Sequence, residues 1–247
     1  PVVAEADVVV VGSGPGGLSA AIAAARAGVS VILIERFGCF GGNITSVGVE
    51  GFAWYRHKKT IEAGGLAFEY EQRAIENNAA VPESQSKSYE LDSEAFKVVA
   101  DNLVLEAGVR PMLHRAFCSP ILEGNEIKGV ITESKAGREA IMGKIIIDAT
   151  GDADVARRSG VTVFKNSKED MISASVMFHM SGVNKEEFMD EIKRDPQKYS
   201  DWSDKNWQVQ TSGKEDDMFS PFLRKPFEKA KDAGLIDSDL QTISGTW

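Results

Sequence analysis

Six consecutive residues near the start, Gly12-Ser13-Gly14-Pro15-Gly16-Gly17, and one carboxylate further on, Glu35, have the types and spacing to hold a dinucleotide. Gly12 allows a tight turn, Gly14 lets a pyrophosphate approach the backbone, and Gly17 lets the following helix pack close to its sheet. The free N–H groups at the start of that helix then face the anion. Glu35 follows about twenty residues later, where a carboxylate accepts hydrogen bonds from ribose hydroxyls and repels a 2′-phosphate. A phosphorylated nicotinamide cofactor is therefore disfavoured. Glycine-rich turns also occur for packing alone, but here the apolar run Val8–Val11 precedes the turn, an alanine-rich stretch follows Leu18, and Val31–Ile34 leads into the acid. That context is what the motif requires.

Other residues invite chemistry less strongly. Tyr55, Arg56 and His57 follow a second glycine-rich loop, where Arg could bind a carboxylate and His or Tyr could move a proton; solvated loop residues are the plainer reading. His179 alternates with Ser175 and Met177 and would share one strand face with them, toward a substrate cavity. Cys39 lies in the second glycine loop without a CxxC partner and reads as a packed thiol, and Cys118 reads as core. His57, His114 and His179 are scattered and give no metal-ligand pattern, so no metal is expected.

The balance of 28 basic and 37 acidic side chains, net −9, is spread along the 247 residues and argues against a nucleic-acid partner. No apolar run approaches the length of a membrane span and no basic, apolar leader opens the chain, so the expectation is a cytoplasmic protein without a membrane partner. Two cysteines are too few for a disulfide scaffold.

The elements that position these residues read as α/β. A strand runs to Val11, a helix covers Leu18 to Ala27, a second strand is Val31–Ile34, and an amphipathic helix covers Ile61 to Asn77. Asp92 or Ser93 caps a helix with Phe96, Val99, Leu103 and Val104 at core spacing and Gly108 as its stop. Short β segments follow: Pro111 to His114, Phe117 to Leu122, Ile127 to Thr132 and Ala140 to Ala149, a β-meander. The last of them ends in Asp148-Ala149-Thr150-Gly151-Asp152, a second glycine turn on the same sheet edge as the first. Beyond Val161 the expectations are a strand from Ile172 to Met180, a helix capped by Asn184 and running through Lys193, a polar stretch with Trp202 and Trp207, and a helix from Pro226 to Ala233. Residues 82–88 read as a mobile connection and Glu215-Asp216-Asp217 as a solvated acidic loop.

Three ordered motifs and the meander together resemble the FAD-dependent oxidoreductases of the glutathione-reductase-like flavoprotein superfamily, in particular a bacterial branch with a Glu-Arg-x-Gly-x-x-Gly-Gly loop, here Glu35 to Gly42, and an Asp-Ala-Thr-Gly-Asp turn, here Asp148 to Asp152. The resemblance implies a Rossmann-like FAD-binding domain with a parallel sheet and inserted meander over residues 1–160, and part of an α+β substrate or cap domain over 161–247. It implies that Gly12, Ser13, Gly14, Pro15, Gly16 and Gly17 hold the pyrophosphate of FAD, Glu35 the ribose and Arg36 the adenine side. Gly41, Gly42, Asn43 and Thr45 would line the path toward the flavin, a backbone group at Phe117 would meet the adenine, and Ala149, Thr150 and Gly151 would pass beside the ADP moiety. The expected activity is hydride transfer between a small-molecule organic substrate and FAD. A C-terminal flavin-covering segment of this family has no counterpart before Trp247, so a second polypeptide, a subunit or a cleavage product, is expected to complete the site in a hetero-oligomer. A nicotinamide-dependent Rossmann dehydrogenase and a non-catalytic nucleotide-binding scaffold are the competing readings.

Overall fold

The computed structural model describes residues 1–51, 56–57, 60–61, 64–82, 89–171, 174, 176–178, 180–194, 200–201, 221–222 and 224–239. In chain order the elements are β1 (Val2–Val11), α1 (Pro15–Arg26), β2 (Val31–Ile34), β3 (Arg56–His57), β4 (Thr60–Ile61), α2 (Leu66–Glu76), β5 (Ala80–Pro82), β6 (Tyr89–Leu91) and α3 (Ser93–Glu106). They continue with β7 (Arg110–Met112), β8 (Ala116–Glu123), β9 (Glu126–Ser134), β10 (Gly137–Asp148), α4 (Asp154–Arg158), α5 (Lys185–Arg194), β11 (Ser200–Asp201), β12 (Pro221–Phe222) and α6 (Arg224–Asp232). Packing divides the chain into one unit of residues 1–55, 61–82 and 89–177 and another of 56–60, 83–88 and 178–247.

The first unit is built on a six-stranded sheet of order β7-β2-β1-β10-β9-β8. Strands β7, β2, β1 and β10 run parallel, and β10, β9 and β8 continue the sheet antiparallel. The result is α/β with a mainly parallel, Rossmann-like sheet that carries a meander. Successive side chains of β1 point to opposite faces. Val8 and Val10 join Val31 and Leu33 under the helices, in one core with Leu18, Ile22, Phe96, Val99 and Leu103. Val9 and Val11 join Ile32, Ile34, Met112, Val130, Ile141 and Val155 in a second core on the reverse face. Burial on both faces is why these strands read as unbroken apolar runs rather than alternating ones.

Helix α1 has 12 residues, marginal for a helix alone. Packing supplies the stability: Leu18 and Ile22 are fully buried, each contributing about 1.5–3 kcal/mol. Helix α3 starts where Asp92 accepts hydrogen bonds from the Glu94 and Ala95 N–H groups, both 2.9 Å, and Phe96, Val99, Ala100, Leu103 and Val104 form its buried stripe. Helix α2 begins at Leu66, later than the apolar pattern suggests, because Gly65 at φ 62° breaks the helical path. It buries Tyr70 against Phe96, ring edge to ring face with centroids 6.3 Å apart.

Three expectations change. Arg110–Met112 is not the first arm of the meander but the outer parallel strand beside β2; Pro111 has no N–H to donate and is tolerated at a sheet edge. The described residues between 172 and 180 carry no strand, since none of them has a paired neighbour, and His179 itself lies outside the described residues. Cys118 is half-buried rather than core, at a register shift where β8 gains a residue against β9. Trp202, Trp207 and 215–217 also lie outside the described residues, as do 83–88, which join β5 to β6. In the second unit Asn184 caps α5 through the Glu186 and Glu187 N–H groups, as its position suggests. Helix α6 is followed by Gly234 at φ 69°.

Burial pushes the Tyr70 phenol from its ordinary 10.0 up to about 12. The folded state keeps this proton to higher pH than the unfolded chain does, so the contribution is complete below about pH 10 and is lost as pH rises toward about 12. Urea unfolding across that window should show the wild type losing stability more steeply than Tyr70→Phe; equal slopes would contradict the burial.

Candidate functional site

All four parallel strands end at one edge of the sheet, β1 at Val11, β2 at Ile34, β7 at Met112 and β10 at Asp148. Three of the loops that leave that edge follow β1, β2 and β10, and ligands of open α/β sheets bind there. The loops are tied to one another by their own backbones. Gly12 N–H donates to the Ile34 carbonyl at 2.8 Å, Ala149 N–H to that of Val11 at 2.9 Å, and Gly41 N–H to that of Ser13 at 2.9 Å.

The glycines of the first loop divide into two kinds. A Cβ on Gly17 would stand 1.9 Å from the Gly12 carbonyl oxygen, and one on Gly12, at φ 97°, would stand 2.5 Å from that of Ala149. Gly14 and Gly16 instead face open space where their side chains would be. Helix α1 starts at this opening with no acidic residue in its first turn. With Pro15 at its first position, the unpaired N–H groups are those of Gly14, Gly16 and Gly17, and the positive end of the helix dipole meets the same space. The second glycine pair has a different role from the one its sequence suggests. A Cβ on Gly42 would lie 2.7 Å from the Gly14 Cα and one on Gly41 would strike the Thr45 side chain, so these residues are small to fit the chain itself.

Glu35, 6% exposed, is held by three donors. Its Oε2 accepts from Ser13 N–H at 3.0 Å and Ser13 Oγ at 2.6 Å, and Oε1 accepts from Phe37 N–H at 2.9 Å. A carboxylate offers about four acceptor positions, so Oε1 keeps one for a further hydroxyl. Arg36 is exposed with its guanidinium over the Phe37 ring, 4.6 Å from the centroid.

In the loop after β2, a single π-helical turn covers Asn43–Val47, a distortion frequent at functional sites. Thr45 is buried and spends its hydroxyl on the Phe40 carbonyl at 2.5 Å, while Asn43 is exposed. Cys39 Sγ lies 3.8 Å from the hydroxyls of Thr45 and Ser46. At the third loop, Asp148 accepts from Thr150 N–H at 3.0 Å and Thr150 Oγ1 at 2.6 Å with one oxygen, and from Ala156 N–H at 2.8 Å with the other. Ala149 therefore lies beneath Gly12 and Gly17, and Gly151 is exposed. The Phe117 ring packs toward the reverse-face core, with the Arg158 guanidinium 5.8 Å from its centroid.

Two participants are not apparent in the sequence. His114, at φ 54°, donates its N–H to the Phe37 carbonyl at 3.1 Å, and its ring occupies the place where a Gly38 side chain would stand. Arg115 N–H donates to the Glu35 carbonyl at 2.9 Å. Together they extend the β2–β7 pairing past the strand ends and hold the acid in place. The substrate-side candidates are not brought into the picture: Tyr55 and His179 lie outside the described residues, and Arg56 and His57 are described only as the short strand β3.

Residues 7–241 match the family model described as FAD dependent oxidoreductase. The chain belongs to that family. FAD is therefore its cofactor, and the open space at Gly14 and Gly16, the helix start and the spare acceptor of Glu35 fit its ADP portion. Among curated relatives, thiamine thiazole synthase of Saccharolobus islandicus is 33% identical over 162 residues, which cover 61% of this chain and 57% of that protein. The Sulfolobus acidocaldarius protein of the same name is 31% identical over the same span. The chain thus spans 57% of the length of these relatives. Among solved structures, THI4 of Thermovibrio ammonificans is 20% identical with a TM-score of 0.48, covering 64% of each chain. A geranylgeranyl bacteriochlorophyll reductase-like protein of Thermoplasma acidophilum is 19% identical with a TM-score of 0.47, covering 64% of this chain and 42% of that one.

The two kinds of glycine separate stability from binding. Gly17→Ala should fail to fold or melt far below the wild type, since a methyl group cannot share space with a carbonyl oxygen. Gly14→Ala should melt within a few degrees of the wild type. Thermal melts of both variants check this, and a Gly17→Ala protein as stable as the wild type would refute the packing.

Proposed function

We propose that this chain is the FAD-binding portion of an oxidoreductase, a dehydrogenase that transfers hydride between a small organic substrate and FAD. The observation that carries the reading is the open cradle at Gly14 and Gly16, set under the start of α1 beside a Glu35 carboxylate fixed with one acceptor position to spare. In this reading Gly12, Ser13, Gly14, Pro15, Gly16 and Gly17 surround the pyrophosphate, Glu35 receives a ribose hydroxyl and Arg36 flanks the adenine. Gly41, Gly42, Asn43 and Thr45 shape the path to the flavin. The Phe117 backbone meets the adenine, and Ala149, Thr150 and Gly151 close the ADP side. FAD supplies the two-electron chemistry when bound, while the chain binds and orients it and excludes water. Tyr55, Arg56, His57 and His179 are the candidates for handling substrate, supported by their side-chain chemistry alone.

The reading extends to a glutathione-reductase-like, bacterial lineage, supported by the Glu35–Gly42 and Asp148–Asp152 motifs, and to a FAD-binding domain over 1–160 followed by part of a substrate domain over 161–247. A second polypeptide that completes the flavin site is part of it, supported by apolar side chains of the second unit that such a partner could cover: Phe178 and Met180 are 77% and 73% exposed. Two free cysteines support a cytoplasmic setting. No helix among the described residues is long and apolar enough to cross a membrane. The identity to thiamine thiazole synthases favours a second reading, in which the same nucleotide-binding frame serves thiazole synthesis.

Titration of the complete assembly with FAD, followed by flavin fluorescence and then by anaerobic reduction with a panel of organic donors, tests the proposal. Stoichiometric binding, bleaching of the yellow colour by a donor, and at least tenfold weaker binding by Gly14→Val and Glu35→Ala are expected. Bound FAD that no donor reduces would overturn hydride transfer. Stoichiometric FAD held by a stable monomer of this chain would overturn the partner.

A further inference from the structure

We infer that Tyr70, on α2, is a positioning residue for pyrophosphate binding: through Ser19 it fixes and polarises the Pro15–Gly16 peptide, whose N–H opens into the cradle. The inference rests on the reading of Gly12 to Gly17 as a pyrophosphate loop.

Counting protons assigns the direction of the relay. Ser19 Oγ lies 2.7 Å from the Pro15 carbonyl oxygen, which can only accept, so the Ser19 hydroxyl donates there. Its single proton is then spent, and the 2.9 Å contact between Ser19 Oγ and Tyr70 Oη is donated by the phenol. The chain is Tyr70 O–H to Ser19 Oγ, and Ser19 O–H to the Pro15 carbonyl. That carbonyl and the Gly16 N–H belong to one amide, so a hydrogen bond received at the oxygen strengthens the N–H as a donor. Proline at the first helical position has already removed one donor, and each N–H that remains matters more.

The relay is rigidly held. Tyr70 is 2% exposed, its ring set against Phe96 with an interplanar angle of 83°. Its neighbour Glu69 forms a two-pronged ion pair with Arg26, 2.7 Å in both contacts, in the last turn of α1. Adjacent residues of α2 thus grip α1 at Ser19, in its second turn, and at Arg26, in its last. With its ionisation pushed to about 12, the phenol remains a donor throughout neutral pH.

A buried phenol satisfied merely for stability would give the same contacts, so the test must read binding of the pyrophosphate separately. Affinities of FAD, ADP and adenosine are measured calorimetrically for the wild type, Tyr70→Phe, Ser19→Ala and the double variant, with thermal melts beside them. Each single variant should bind FAD and ADP roughly fivefold more weakly, with adenosine unchanged and the double variant no worse than either single. Unchanged ADP affinity, an equal loss for adenosine, or multiplying losses would overturn the relay while leaving the pyrophosphate reading intact. A wild type that binds FAD but not ADP overturns both.

Discussion

The site depends on a close approach of backbone to backbone that admits no side chain. The Gly17 Cα sits against the Gly12 carbonyl, Gly12 against Ala149, and Gly42 against Gly14. The loops after β1, β2 and β10 are thereby packed into one surface, with open space left at Gly14 and Gly16. Strand β1 supplies the anchor. Buried on both faces and paired on both edges, it cannot shift without disturbing two cores.

From that packing follows the electrostatics. Helix α1 is pinned with its start at the opening, and Glu35 is drawn in by Ser13 and Phe37, beside the place proposed for the pyrophosphate. A free carboxylate there would oppose a pyrophosphate. Engaged by three donors, it instead presents a directed acceptor for a hydroxyl. The Arg115 and His114 N–H groups, which hold the main chain of residues 35 and 37, keep that direction fixed. In the proposed site, such order in the fold would leave binding little ordering entropy to overcome.

The frame was legible in the sequence because local chemistry dictates it. The double-faced apolar strands, the Asp92 cap, the Asn184 cap and the glycine turns all depend on neighbours within a few residues. What stayed hidden depends on contacts distant along the chain. Nothing in the sequence marks Gly42 as the neighbour of Gly14, Tyr70 as the partner of Ser19, or His114 as the residue that fills the space over Gly38. Pairing likewise decides strands: Arg110–Met112, only three residues long and containing a proline, becomes a strand because β2 offers it an edge. The more apolar segment between 172 and 180 has no such neighbour among its described residues. Side-chain chemistry on the substrate side was read from residue types alone, which define possible roles but no geometry.

The backbone contacts among these loops imply a cradle that the chain assembles by itself. Native-state amide hydrogen exchange on the cofactor-free protein tests this most directly. The Gly12, Ser13, Gly41 and Ala149 amides should be protected without FAD, and Gly14 and Gly16 only when it is added. Free exchange of all six until FAD binds would show instead that the cofactor builds the site.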